Sequence, residues 1–194
     1  MEVFVLKRIA FFIIALSMLL SLAGCGPNVQ NRIEDYKDDD VVAIVGAKEI
    51  TVGELRFLYA DEEILQNIEE IVRLELVLQE AKRMNLDIAE DRESQKEEML
   101  SLPLRSEADP IWDSVRLFVE TQADKLKIDT EAYYEEYVEI RSEQIAYINA
   151  YTREMIGAPN VENEDDLKEY NKKANDFLNE LVKEHQQEVE ILIE

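Results

Sequence analysis

The chain has 194 residues, with 21 basic and 44 acidic side chains, a formal charge of −23 and a pI near 4.4. A surface this acidic is repelled by nucleic acid and by anionic lipid headgroups, which excludes electrostatic binding to either. Hydrophobic residues make up 46% of the chain, enough for a packed core, so the acidity does not imply disorder throughout.

Lys7 and Arg8 precede an uncharged apolar run over residues 9–20. That run is shorter than the ~20 apolar residues a spanning helix needs, and its basic flank gives it the form of an export signal. Leu22-Ala23-Gly24-Cys25 follows. Small Ala23 and Gly24 leave an uncrowded backbone for a peptidase, and Gly26-Pro27 stops a helix from continuing past the site. These four residues resemble the lipobox of bacterial lipoproteins. The resemblance implies that residues 1–24 are a signal peptide removed by cleavage. It also implies that Cys25 carries a diacylglycerol and an N-acyl lipid on the outer, extracytoplasmic face of a bacterial cell membrane. Two acyl chains suffice for stable anchoring where one is marginal. The competing reading, a signal anchor with an incidental cysteine, must put the chain's single cysteine at this position by chance. Cleavage takes away Glu2, Lys7 and Arg8, which moves the mature charge to −24, and acylation leaves no thiol for a disulfide.

Residues 25–40 read as an acidic tether. Gly26-Pro27-Asn28 is turn-rich, and the charge run from Glu34 to Asp40 is expected to stay solvated and extended. The folded part, residues 41–194, opens with the β-branched run Val41–Val45. Gly46-Ala47 punctuates it, and Lys48-Glu49-Ile50-Thr51 leads away. Thr51 with Glu54 three residues on forms a capping box, which predicts a helix over about Val52–Ala60. A second helix has Ile64, Leu65, Ile68, Ile71, Val72, Glu75, Leu76, Leu78, Gln79 and Lys82 at helical spacing, with its apolar face on 64, 68, 71, 72 and 76, and ends at Asn85. A third lies near Glu90–Leu100. Asp109-Pro110 restarts a helix with the stripe Ile111, Val115, Phe118, Val119 and Leu126. Asp129-Thr130 caps the next, which runs to Gly157-Ala158-Pro159. The acidic stretch Glu162–Asp166 leads to a final helix with Leu167, Tyr170, Ala174, Phe177, Leu178 and Leu181 in register. Val189–Ile193 closes the chain with strand-like content. A lone strand at either end is unstable, so the two are expected to pair and close a mainly α domain with a small sheet.

Val41–Thr51 with Glu54-Leu55 resembles the opening of the SurA/PrsA group of extracytoplasmic folding factors. So does the helix Ile71–Leu86 with its leucine-rich run before Glu80-Ala81-Lys82, and, more loosely, the closing Leu181–Glu184 and Val189–Ile193. Gly46-Ala47 stands where that group usually has asparagine-glycine. Its isomerase members insert a parvulin domain before the last helix. Residues 101–160 hold one glycine and read as two long helices, so the resemblance implies a SurA N-terminal-like chaperone lobe without the isomerase.

Little else carries chemistry. His185 is the only histidine and sits near a helix end, which leaves no Ser/His/Asp set. Glu62-Glu63, Glu69-Glu70 and Glu135-Glu136 read as solvated helix faces, and neither a phosphate loop nor a calcium loop is present. No catalytic residue, metal ligand or cofactor is therefore assigned beyond the lipid at Cys25. Tyr134, Tyr137, Tyr151 and Met155 share the apolar stripe, which serves either a core or a cleft for extended apolar peptides; the core is the simpler reading. Tyr133 and Tyr147 lie off it and, with Trp112, are assigned to a client-binding surface.

Two functions follow as expectations. One is a lipid-anchored chaperone-like protein that binds or escorts partly folded exported polypeptides. The other is a scaffold or adaptor lipoprotein that binds one specific partner at the membrane. Both depend on the anchor. Cys25→Ser is expected to move the chain from the membrane to the soluble fraction with an unchanged circular dichroism spectrum; retention of the cleaved variant on membranes overturns the anchor.

Overall fold

Val41–Val45 (β1) alternates strongly β-branched residues, and Val42, Ala43 and Val45 are fully buried. In the computed structural model, which describes residues 32–101, 110–160 and 163–193, β1 is the centre of a three-stranded antiparallel sheet. Lys48–Thr51 (β2) lies on one side and Val189–Ile191 (β3) on the other. Ala43 opposes Ile50 in β2 and Ile191 in β3. The expected pairing of the two ends of the domain is present, with β3 two residues shorter than anticipated. The Lys48–Thr51 stretch, rather than leaving the sheet, completes it as the outer strand of a hairpin.

The turn chemistry explains that hairpin. Gly46 has φ +60° and Ala47 does not share the positive value, so the glycine takes the first turn position, the pattern of a type II′ turn. A side chain at Gly46 would also meet Gln79, whose amide donates to the Val45 carbonyl at 3.0 Å.

The rest is helical: Val52–Leu58 (α1), Asp61–Ile64 (α2), Ile68–Arg83 (α3), Ala89–Leu100 (α4), Pro110–Leu126 (α5), Thr130–Ile156 (α6) and Glu164–Glu184 (α7). Among the described residues no helix is long and apolar enough to cross a membrane. The capping box holds: the Thr51 hydroxyl accepts from Glu54 N–H, and the Glu54 carboxylate accepts from Thr51 N–H at 3.0 Å. The helix expected from Ile64 is instead staged, with a 3₁₀ turn at Leu65–Asn67 between α2 and α3. Asn85 then takes φ +53° and closes α3, with Leu86 N–H reaching back to the Ala81 carbonyl. Asn163, the one uncharged residue of the expected acidic lead Glu162–Asp166, is the residue whose side chain caps α7.

Two apolar clusters share the long helix α6. The first joins the sheet to α1, α3 and α7 and includes Tyr151, Leu178, Leu181 and Ile193. The second gathers Met99, Val119, Ala123, Tyr133, Tyr134 and Val138 between α4, α5 and α6. Fully burying each aliphatic of this kind contributes roughly 1.5–3 kcal/mol, so the clusters dominate the favourable side of folding.

Two boundaries differ from the sequence reading. Met155 projects from the end of α6 and is exposed rather than buried. More consequential, the acidic stretch before β1 is not a free tether. Ile33 is buried in the first cluster and Tyr36 packs against it. Arg56 of α1 donates to the Ile33 carbonyl at 2.8 Å and the Tyr36 carbonyl at 3.1 Å, and pairs with Asp38. Two apolar side chains and two carbonyl acceptors outweigh the solvation of the surrounding acids, so residues 33–40 form a strap on the domain. Its path crosses Gly53, whose N–H donates to the Asp38 carbonyl at 2.9 Å. A Cβ there would stand 3.0 Å from that same oxygen. Gly53→Ala is therefore expected to lower stability by about 1–3 kcal/mol, the usual range for overpacking. Urea unfolding should show the lower midpoint, and limited proteolysis should cut within 33–40 sooner than in the parent.

Candidate functional site

Cys25 and the export signal at 1–24 lie outside the described residues. Trp112 falls in α5, but its side chain lies outside the description as well. Tyr147 is half-buried on α6 against the first cluster, with the Lys82 ammonium 5.2 Å from its ring centroid. Tyr133 is fully buried, which corrects its assignment to a client-binding surface. The stripe rule fails for it because α6 is packed on more than one side. The Tyr133 ring lies 5.0 Å from Phe57, and its hydroxyl donates to the Phe57 carbonyl at 2.8 Å. The neighbouring Tyr134 donates to the Met99 carbonyl at 2.6 Å on another side of the helix. Tyr133 and Tyr147 are thus not brought to one surface.

What α1 brings together is different. After Leu58 the chain turns extended at Tyr59, so the carbonyls of its last turn have no helical partner. Gln122 of α5, only 1% exposed, donates to the Arg56 and Tyr59 carbonyls at 2.9 Å each. Lys125 reaches the Tyr59 carbonyl at 3.3 Å and pairs with Asp61 at 2.8 Å. With Tyr133 these side chains anchor the end of α1 to α5 and α6, and a cleft lies beside it.

That cleft has a volume of about 290 Å³ and opens to solvent. It sits at the lower end of the ~300–1,000 Å³ typical of ligand pockets, enough for a few side chains of an extended segment rather than a folded element. One wall is Lys48 and Ile50 of β2, two residues apart and so on one face of the strand. α1 and its exit contribute Leu55, Phe57, Leu58 and Tyr59, with Glu54 among them. α3 contributes Ile71, Leu74, Glu75 and Leu78, and α6 closes the far side with Ile140 and Gln144. Arg141 supports this end. Its guanidinium lies 4.9 Å from the Tyr59 ring and 5.6 Å from the Tyr137 ring, and donates to Gln144 at 3.0 Å.

The cleft is apolar with one charged wall. Glu75 is buried on α3, and its two oxygens accept from Lys48 Nζ at 2.9 Å and from Gln79 Nε2 at 2.8 Å. The sequence pattern includes Glu75 at the helical spacing of its helix, outside the apolar face, and assigns it nothing. The signal was an acid at a helical spacing shared with the apolar residues of Ile71–Leu78, a run whose other charge is Arg73, and a buried acid calls for a partner. The rest of the wall was not readable, because it depends on where β2 lies relative to α3. His185 caps α7, and its Nδ1 lies 2.9 Å from Glu188, far in sequence from the cleft residues. Among the described residues no cluster of three or more histidine, cysteine or acidic side chains is placed to hold a metal.

Burial raises the Tyr134 hydroxyl to about 12, with the neighbouring Tyr137 hydroxyl adding to the effect, and raises Tyr133 further for the same two causes. An unfolded tyrosine ionises near ~10. Above that pH the unfolded chain loses these protons while the fold keeps them, so stability falls as pH rises. Thermal unfolding is expected to be insensitive to these groups below about pH 10 and to lose stability steadily from there to about pH 12. Tyr134→Phe should be less stable at neutral pH and show a shallower alkaline loss; an unchanged alkaline slope overturns the assignment.

Comparison with protein families, with characterised proteins and with solved structures finds no match to this chain.

Proposed function

We propose that this protein is a lipid-anchored, extracytoplasmic chaperone-like protein that holds or escorts partly folded exported polypeptides and has no isomerase activity of its own. The observation that carries the reading is the apolar cleft beside β2. β2 pairs with β1 on one side and, among the described residues, with no strand on the other, and its Lys48 and Ile50 line the cleft. An extended chain can add to such an edge through its backbone while sending side chains into the pocket, a mode that is tolerant of sequence. The lipobox-like Leu22–Cys25 and the SurA/PrsA-like opening at Val41–Leu55 support the location and the class.

The small size of the cleft favours a second reading, an adaptor that engages one segment of one partner. Photo-crosslinking in cells from a reactive residue placed at Leu74 separates the two, since a chaperone captures many partners and an adaptor one.

The purified full chain is expected to slow the aggregation of a chemically unfolded secreted protein at near-stoichiometric ratios, followed by light scattering. Leu74→Trp, which fills the cleft, is expected to remove at least about half of that protection, in line with overpacking of a built site. Absence of protection by the parent chain against several clients overturns the chaperone reading.

A further inference from the structure

Resting on the reading of the cleft as a polypeptide site, we infer that it selects extended segments that combine an apolar residue with a nearby lysine or arginine, docked along the free edge of β2 with the cation delivered to Glu75 and Glu54.

The geometry divides the cleft into two parts. Leu55, Leu58, Ile71 and Leu74 offer an apolar slot. Beside it, Lys48 and Ile50 show the strand spacing at which an added strand would present its own alternate side chains. A residue that enters the slot therefore has its neighbour two positions away beside Glu75.

Charge decides what that neighbour is. The lining holds two carboxylates, Glu54 and Glu75, and the ammonium of Lys48, while the Arg141 guanidinium lies at the far end against Tyr59 and Gln144. Glu75 already accepts one bond on each oxygen, but a carboxylate has about four lone-pair sites, so acceptor capacity remains. Its side chain is 11% exposed, whereas that of Lys48 is 46% exposed. The acid is fixed in the wall while its partner is a long, half-free side chain that can give way to an incoming cation. Glu54 uses one oxygen to cap Thr51 N–H at 3.0 Å and has no cation in ion-pair range among the described residues. The wider field agrees: a chain of net charge −23 steers basic segments inward and repels acidic ones. An acidic or purely apolar segment would leave Glu54 and Glu75 without a new partner.

The experiment uses the full chain and short fluorescent peptides with one central leucine, identical except for lysine, glutamine or glutamate two positions away. Fluorescence anisotropy is expected to show the lysine peptide binding about tenfold more tightly than the glutamate peptide, the scale of one charge-assisted contact, with glutamine between. Glu75→Gln should reduce that ratio to about twofold or less. Lys48→Gln, which frees Glu75 and alters a half-exposed position, should tighten the lysine peptide by about threefold or more. Equal binding of the three peptides, or a ratio unchanged in both variants, overturns the inference and leaves the chaperone reading standing. So does protection of unfolded clients without binding of any peptide. Neither peptide binding nor protection overturns both.

Discussion

The carbonyl groups at the end of α1 are the constraint on which the rest of the structure depends. A helix that stops inside a protein leaves acceptors that water cannot reach, and each unmet buried group costs roughly 1–3 kcal/mol. Here Arg56, Phe57 and Tyr59 are answered by Gln122, Tyr133 and Lys125, which come from two other helices. Against a total stability of ~5–15 kcal/mol, leaving several such groups unmet would be decisive. Because these bonds run from one apolar cluster to the edge of the other, they also tie the two cores together. Phe57 and Tyr59, whose carbonyls they hold, also line the cleft. Satisfaction of the backbone at the end of α1 thus also positions a wall of the cleft.

The acidic residues do comparatively little of this. Glu139 pairs with Arg92 and Lys96 and links α4 to α6, and Arg153 pairs with Asp91 across the same two helices. All are substantially exposed, and surface pairs of that kind contribute about 0–1 kcal/mol. Their main effect is on what the domain repels and attracts. Glu75 differs from these, since it is buried on α3 with its lysine partner on a separate strand, and Asp61, paired with Lys125, is also largely shielded.

Much of the architecture could be read from local chemistry. The capping boxes and turn residues at Thr51, Asp129 and Asn85 act over three or four residues, and each marks an element boundary that the fold retains. The pairing of the end strands followed from the instability of either one alone. What failed depended on long-range neighbours. Tyr133 lies off the stripe of its own helix and is buried because Phe57, distant in sequence, supplies both a ring and a carbonyl. Residues 34–40 carry a composition that favours solvation, yet Ile33, Tyr36 and the reach of Arg56 bind them down. The cleft combines β2, α1, α3 and α6, and no single window of sequence contains it.

The strap has a consequence for how the protein works at a membrane. A tether of sixteen residues, 25–40, could extend ~55 Å at the limit of ~3.3–3.6 Å per residue. With Ile33 packed in the fold, eight residues, 25–32, separate the proposed anchor from it, and eight residues reach at most about 30 Å. On the proposed lipid anchor, the domain is then confined to a layer little thicker than the bilayer itself. Its encounters become those of a surface-bound reactant, in which effective concentration is set by the leash rather than by the bulk. A polypeptide leaving the membrane would meet the cleft within its first stretch of exposed chain, while one already free in solution would seldom come within range.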